Sequence, residues 1–84
     1  MLVTIGSVTT AARASRIIEK ALGIKVQVVH TPRELNRSGC SYSIKFSDNY
    51  EMSVKRVVDE YKIPVRRWYR ESNDSTGRVY NDLS

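Results

Sequence analysis

The period of the apolar residues switches from two to 3.6 and back, twice, within residues 1–70, and this restricts the fold more than any other feature. "LVTI" (2–5) is a short, largely aliphatic and β-branched run that reads as a strand. "GSVTT" follows and offers Ser7, Thr9 and Thr10 as helix N-caps, after which Ala11, Ala14, Ile18, Ala21 and Leu22 recur at helical spacing. Gly23 supplies the left-handed stop, so the pattern predicts a helix over 9–22. "KVQVVH" (25–30) reads as a second strand, and Pro32 opens a polar loop over 31–39. "CSYSIKF" (40–46) alternates, with Cys40, Tyr42, Ile44 and Phe46 on one face and Ser41, Ser43 and Lys45 on the other. Asp48 and Glu51 have the spacing of a capping box, ahead of a helical stripe of Tyr50, Val54, Val57, Val58 and Tyr61. Pro64 ends that helix, and "VRRWYR" (65–70) reads as a fourth strand.

The order is βαββαβ. Two right-handed βαβ crossovers on one antiparallel sheet give an α+β fold, a ferredoxin-like sandwich of four strands with both helices on one face. Residues 1–71 are expected to form this domain. The stretch 72–84 is polar with little periodicity and is expected to be a flexible tail, in which Val79 and Tyr80 are the residues able to dock.

Composition excludes several functions. A chain of 84 residues has room for one sheet and a pair of helices, not for a deep enclosed active site. No apolar run approaches the roughly 20 residues that span a bilayer, so no membrane association is expected. "MLVTIGSVTT" lacks the basic region and cleavage site of a signal peptide. The single cysteine cannot form an internal disulfide, which points to the reducing cytoplasm. With one cysteine and one histidine there is no zinc-ligand set of usual spacing, and neither a metal nor a cofactor is expected. His30 and Cys40 flank one loop, yet no orienting acid accompanies them, so independent catalytic turnover is not expected. The net charge of +5 favours an anionic partner.

Cys40 is the residue on which chemistry converges. In the βαββαβ order, the end of strand one, the start of helix one and the 31–39 loop share one end of the sheet. The sulfur of Cys40, on the face of Tyr42, Ile44 and Phe46, is then expected to point toward the Ser7–Thr10 helix start. Unpaired N–H groups and the helix dipole there favour a thiolate, and Arg33 and Arg37 in the same loop act in the same direction. Gly39 permits close backbone approach. The plain alternative is that Cys40 only packs, that the arginines form a solvated loop face, and that Ser7, Thr9 and Thr10 are simple caps.

The opening strand with its Ser/Thr-rich turn, the Pro32-Arg33 pair and the Gly39-Cys40 turn before a strand resemble the selenium/sulfur carrier protein-like family of small bacterial domains. The resemblance covers roughly residues 1–70. It implies sulfur or selenium trafficking, with Cys40 in the carrier position and Arg33 in the loop motif. It also implies donor and acceptor proteins as partners.

Two other readings concern binding alone. "VRRWYR" mixes Trp68 and Tyr69 with Arg66, Arg67 and Arg70, a composition suited to RNA. The basic-Gly-aromatic signature of RNA-binding sheets is absent from strand three, so nucleic acid ranks below the carrier reading. The other is a regulatory module that forms a homodimer through its sheet, using Trp68, Tyr69 and Tyr80.

Overall fold

A computed structural model describes residues 1–35, 42–74 and 77–83. Strand β1 (Leu2–Ile5) leads through Gly6 into helix α1 (Val8–Leu22). Ser7 is the N-cap: its backbone is extended and its Oγ accepts a hydrogen bond from the Thr10 amide at 3.2 Å. Ala11, Ala14 and Ile18 turn inward at helical spacing, and Gly23, at φ 65°, ends the helix in the left-handed conformation as expected. Strand β2 (Gln27–His30) follows, then a 3₁₀ turn over Arg33–Leu35 and strand β3 (Tyr42–Lys45). A second 3₁₀ turn, Asp48–Tyr50, precedes helix α2 (Glu51–Glu60), which buries Val54, Val57 and Val58. Strands β4 (Trp68–Asp74) and β5 (Gly77–Asp82) complete a five-stranded sheet of order β2-β3-β1-β4-β5, antiparallel at every pairing.

The sheet therefore has five strands rather than four. The stretch expected to be a flexible tail supplies β5, paired with β4 from Tyr69↔Asp82 to Asp74↔Gly77. Its two partly buried residues, Val79 and Tyr80, are adjacent in an otherwise polar run, so what makes 77–82 a strand is backbone pairing rather than apolar periodicity. Leu83 is anchored as well: its amide bonds to the Trp68 carbonyl at 2.8 Å and its side chain packs on the core.

Two local expectations also change. The Asp48–Glu51 capping box does not form. The N-cap of the 3₁₀ turn is Ser47, while Asp48 binds the Met1 ammonium at 2.7 Å and Glu51 binds Lys55 at 3.0 Å. The fourth strand begins at Trp68 rather than Val65 because Arg66 and Arg67 both face Thr4. The Thr4 carbonyl accepts from the Arg66 amide, the Thr4 amide donates to the Arg67 carbonyl, and Thr4 Oγ1 accepts from the Arg67 amide at 3.1 Å. Two residues opposite one is the arrangement of a β-bulge, which locally ends regular pairing.

The core lies on one face of the sheet. Val3, Ile5, Ile44 and Phe46 meet Ala11, Ala14 and Ile18 of α1 and Val54, Val57 and Val58 of α2 in a single cluster. Burial of side chains such as Ile18 and Ile44, each contributing about 1.5–3 kcal/mol, is the main stabilising term. The opposite face is covered too: Leu2, Thr4, Ser43 and Tyr69 are all buried. Val29 of β2 and Tyr80 of β5 line one small cavity of about 170 Å³ together with Leu2 and Lys45. In a flat sheet those two strands, four places apart, would stand about 19 Å from one another. The β4–β5 hairpin must therefore curl back across the second face.

Candidate functional site

The register fixes what meets at the top of the sheet. Tyr42, the first described residue after the 36–41 segment, is the partner of both Ile5 at the end of β1 and His30 at the end of β2. The Gly6–Ser7 turn, the start of α1, the Thr31–Arg33 segment and Tyr42 thus share one end of the molecule. Cys40, Gly39 and Arg37 lie outside the described residues. The His30 and Tyr42 rings contact each other, with centroids 5.0 Å apart. Beneath them the Thr31 hydroxyl bonds Ser43 Oγ at 2.7 Å, which satisfies two buried hydroxyls and pins the end of β2 to β3.

Ser7, Thr9 and Thr10 occupy the start of α1 as expected, but two of the three hydroxyls are engaged. Ser7 Oγ accepts from the Thr10 amide and also donates to Thr10 Oγ1 at 2.9 Å, so both residues act as a cap. Thr9 is exposed. Arg33 is exposed in the first 3₁₀ turn, whose Leu35 amide bonds back to the Pro32 carbonyl at 2.9 Å. Pro32 itself lines the small cavity on the covered sheet face.

The Arg66 guanidinium lies beside Gly6, at the start of α1. A Cβ placed on Gly6 would stand 3.4 Å from Arg66 Nε, an ordinary contact distance that puts the guanidinium against this turn. Gly6, Ser7, Thr10, Pro64 and Arg66 line one depression of about 460 Å³. Sequence reasoning assigned Arg66 only to the nucleic-acid alternative. The bulge opposite Thr4 brings it here, and nothing in "VRRWYR" announces that bulge.

The remaining residues of that alternative are arranged against stacking. Trp68 packs on the core with its ring edge-on to Phe46 at 6.3 Å, and Lys55 Nζ lies 5.4 Å from its centroid. Tyr69 is 7% exposed on the covered face. Arg67 pairs with Asp82 at 2.9 Å, and Arg70 pairs with Glu51 and, at 3.8 Å, with Asp48. Hydrogen bonds from Lys55 and then Arg70 hold the Glu51 carboxyl below the usual range, and the Met1 ammonium does the same for Asp48.

A second concavity, of about 610 Å³, lies on the covered face between the hairpin and Glu34-Leu35, with Arg67, Arg78 and Tyr80 in its wall. Its arginines are neutralised by Asp82 and, at 3.5 Å, by Glu71. Among the described residues no group of histidine, cysteine and acidic side chains is placed to hold a metal ion. No described helix is long and apolar enough to cross a membrane.

Residues 1–70 match the model of a protein family described as "Putative Se/S carrier protein-like". The chain belongs to this family. The match spans the helices and the four strands β1 to β4 up to Arg70, and leaves out the rest of β4 and β5. No curated protein and no solved structure matches the Se/S carrier protein-like chain.

Proposed function

We propose that this member of the Se/S carrier protein-like family receives and hands on sulfur or selenium, with Cys40 as the carrying atom. The family match over residues 1–70 carries the reading. In the transfer, the Cys40 thiolate attacks the outer sulfur of a donor persulfide. A new S–S bond forms at Cys40, the donor's S–S bond breaks, and the donor departs as a thiolate. The reaction is an exchange without net oxidation. A donor carrying selenium in the outer position reacts in the same way.

Residues at that end of the sheet support the reading. Two peptide links separate Cys40 from Tyr42, a reach of at most about 7 Å, and Tyr42 stands opposite Ile5, one residue before the Gly6 turn. Arg66 beside Gly6, with the amides at the start of α1, adds positive potential at that end. Arg33 and Arg37, which border the same loop in sequence, would attract an anionic donor group. Such a field lowers a thiol pKa and raises its thiolate fraction at neutral pH. The protein works between a donor and an acceptor protein, in a cytoplasm reducing enough to keep a lone thiol available. Its scaffold is a ferredoxin-like sandwich extended by a fifth strand.

Mass spectrometry of protein purified without reductant tests the reading. An added sulfur or selenium atom on the Cys40 peptide, absent from Cys40→Ser, is expected. Cys40 should also react with iodoacetamide at pH 7 faster than a model thiol. A folded protein whose cysteine is unmodified and unreactive would return Cys40 to a packing role.

A further inference from the structure

The cations of this protein divide into two populations. Lys45, Lys55, Arg67, Arg70 and Arg78 all have carboxylate partners. Among the described residues, Arg13, Arg16, Lys20, Lys25, Arg33, Arg56, Lys62 and Arg66 have none, and three of these, Arg13, Lys62 and Arg66, line one continuous groove. The groove consists of two depressions, of about 340 and 460 Å³, which share Thr10 and Pro64. It follows the seam between α1 and the end of α2. Ile17, Tyr61 and Pro64 give it an apolar floor and wall. One end opens at Gly6–Ser7, the end of the sheet where Tyr42 stands opposite Ile5. Arg16 and Lys20, exposed on α1 at positions i+3 and i+7 from Arg13, continue the basic ridge away from it.

Lys62 adds an independent observation. Its φ is 53°, the left-handed conformation that L side chains adopt reluctantly, and it is the one non-glycine residue with positive φ among those described. It occupies the position after the α2 C-cap in a Schellman motif. The Ile63 amide bonds the Val58 carbonyl at 3.0 Å and the Lys62 amide bonds that of Asp59 at 3.3 Å. Glycine is the usual residue there. A lysine placed to complement the helix dipole could sit in the last turn without strain, but that turn contains no basic residue. This exposed lysine lines the groove beside Tyr61 and Ile63.

We infer that this groove docks an acidic, extended segment of the donor or acceptor protein, guiding that partner toward the Cys40 end. The inference deepens the carrier reading and rests on it. Unpaired cations beside apolar side chains fit a segment that mixes carboxylates with apolar residues. A single-stranded nucleic acid would need aromatic platforms along its path. The groove offers only Tyr61, because Trp68 and Tyr69 are turned into the structure.

The test is fluorescence anisotropy with a labelled peptide of alternating glutamate and leucine. A single-stranded RNA oligonucleotide of equal charge serves as comparison. Both are titrated with the Cys40→Ser protein, so that docking is read apart from thiol chemistry. Arg13→Glu combined with Arg66→Glu should weaken peptide binding about tenfold or more, since two attractions become repulsions. Lys25→Glu combined with Arg56→Glu changes net charge equally at exposed, unpaired sites outside the groove, and should weaken binding less than about twofold. Circular dichroism melts confirm folding of both variants. Equal losses in the two variants, no peptide binding at all, or tighter binding of RNA than of peptide would each overturn the docking proposal. A Cys40 that loads sulfur beside a groove that binds nothing would remove docking alone. A groove that binds beside an inert Cys40 would remove the carrier chemistry alone.

Discussion

Arg70 shows how single residues fix the lower edge of the domain. Its guanidinium reaches Glu51 and Asp48, linking β4 to the start of α2, while Lys55 holds Glu51 from the next turn. Both carboxyls titrate below their usual values in the folded protein, Glu51 chiefly through Lys55 and Asp48 chiefly through the Met1 ammonium. A depressed folded pKa stabilises above the unfolded value and loses that contribution as pH falls through the folded one. Stability should therefore decline below about pH 4, where the unfolded carboxyls begin to bind protons. Glu51→Gln combined with Asp48→Asn should flatten the decline between pH 5 and pH 2 in urea melts. The sequence marks both acids as special through their spacing, but not their partners. A capping box and a pair of long-range ion pairs look the same in "SDNYEM", because Arg70 is brought in only by tertiary folding.

Element by element, the sequence was most readable where burial sets a period. The α1 stripe, its Ser7 cap and Gly23 stop, the alternation of Tyr42, Ile44 and Phe46, and the Val54–Val57–Val58 face all follow from apolar spacing. Tyr50 and Tyr61, expected in the second stripe, are exposed, since their positions fall at the ends of α2. Strand β5 and the Arg66–Arg67 bulge were not readable, because both depend on backbone hydrogen bonds to distant strands. Of the candidate site, the meeting of the β1 end, the β2 end and the start of β3 was legible from topology alone, whereas the position of Arg66 beside Gly6 was not. Two element-level outcomes follow. Lys62→Gly should stabilise the protein by about 0.5–1 kcal/mol in chemical denaturation by relieving the left-handed lysine. Leu2→Ala should cost about 2–4 kcal/mol, the value for a fully buried leucine. In a chain ending before residue 75 the same change should cost less than about 1 kcal/mol, because the curled hairpin no longer covers that face.

At the scale of the whole molecule, charge and coverage are both lopsided. The hairpin side contributes paired cations and closes one sheet face over Leu2 and Tyr69, while the α1 side keeps its positive charge unmatched. Sheet order gives a matching gradient of stability. β1 lies between β3 and β4 with Val3 and Ile5 fully buried, whereas β2 and β5 stand at the edges with largely exposed side chains. Native-state hydrogen exchange should find the slowest amides in β1 and β3 and the fastest in β5. Comparable protection of β5 and β1 would contradict the hairpin's role as a cover added to a finished core.

The central place of β1 has a consequence for how the molecule is made. "LVTI" leaves a ribosome about 40 and 65 residues ahead of its two neighbours in the sheet. At ordinary rates of translation this apolar segment waits for seconds without either flank. Helix α1, which forms from local contacts, is the element able to shelter it during that interval.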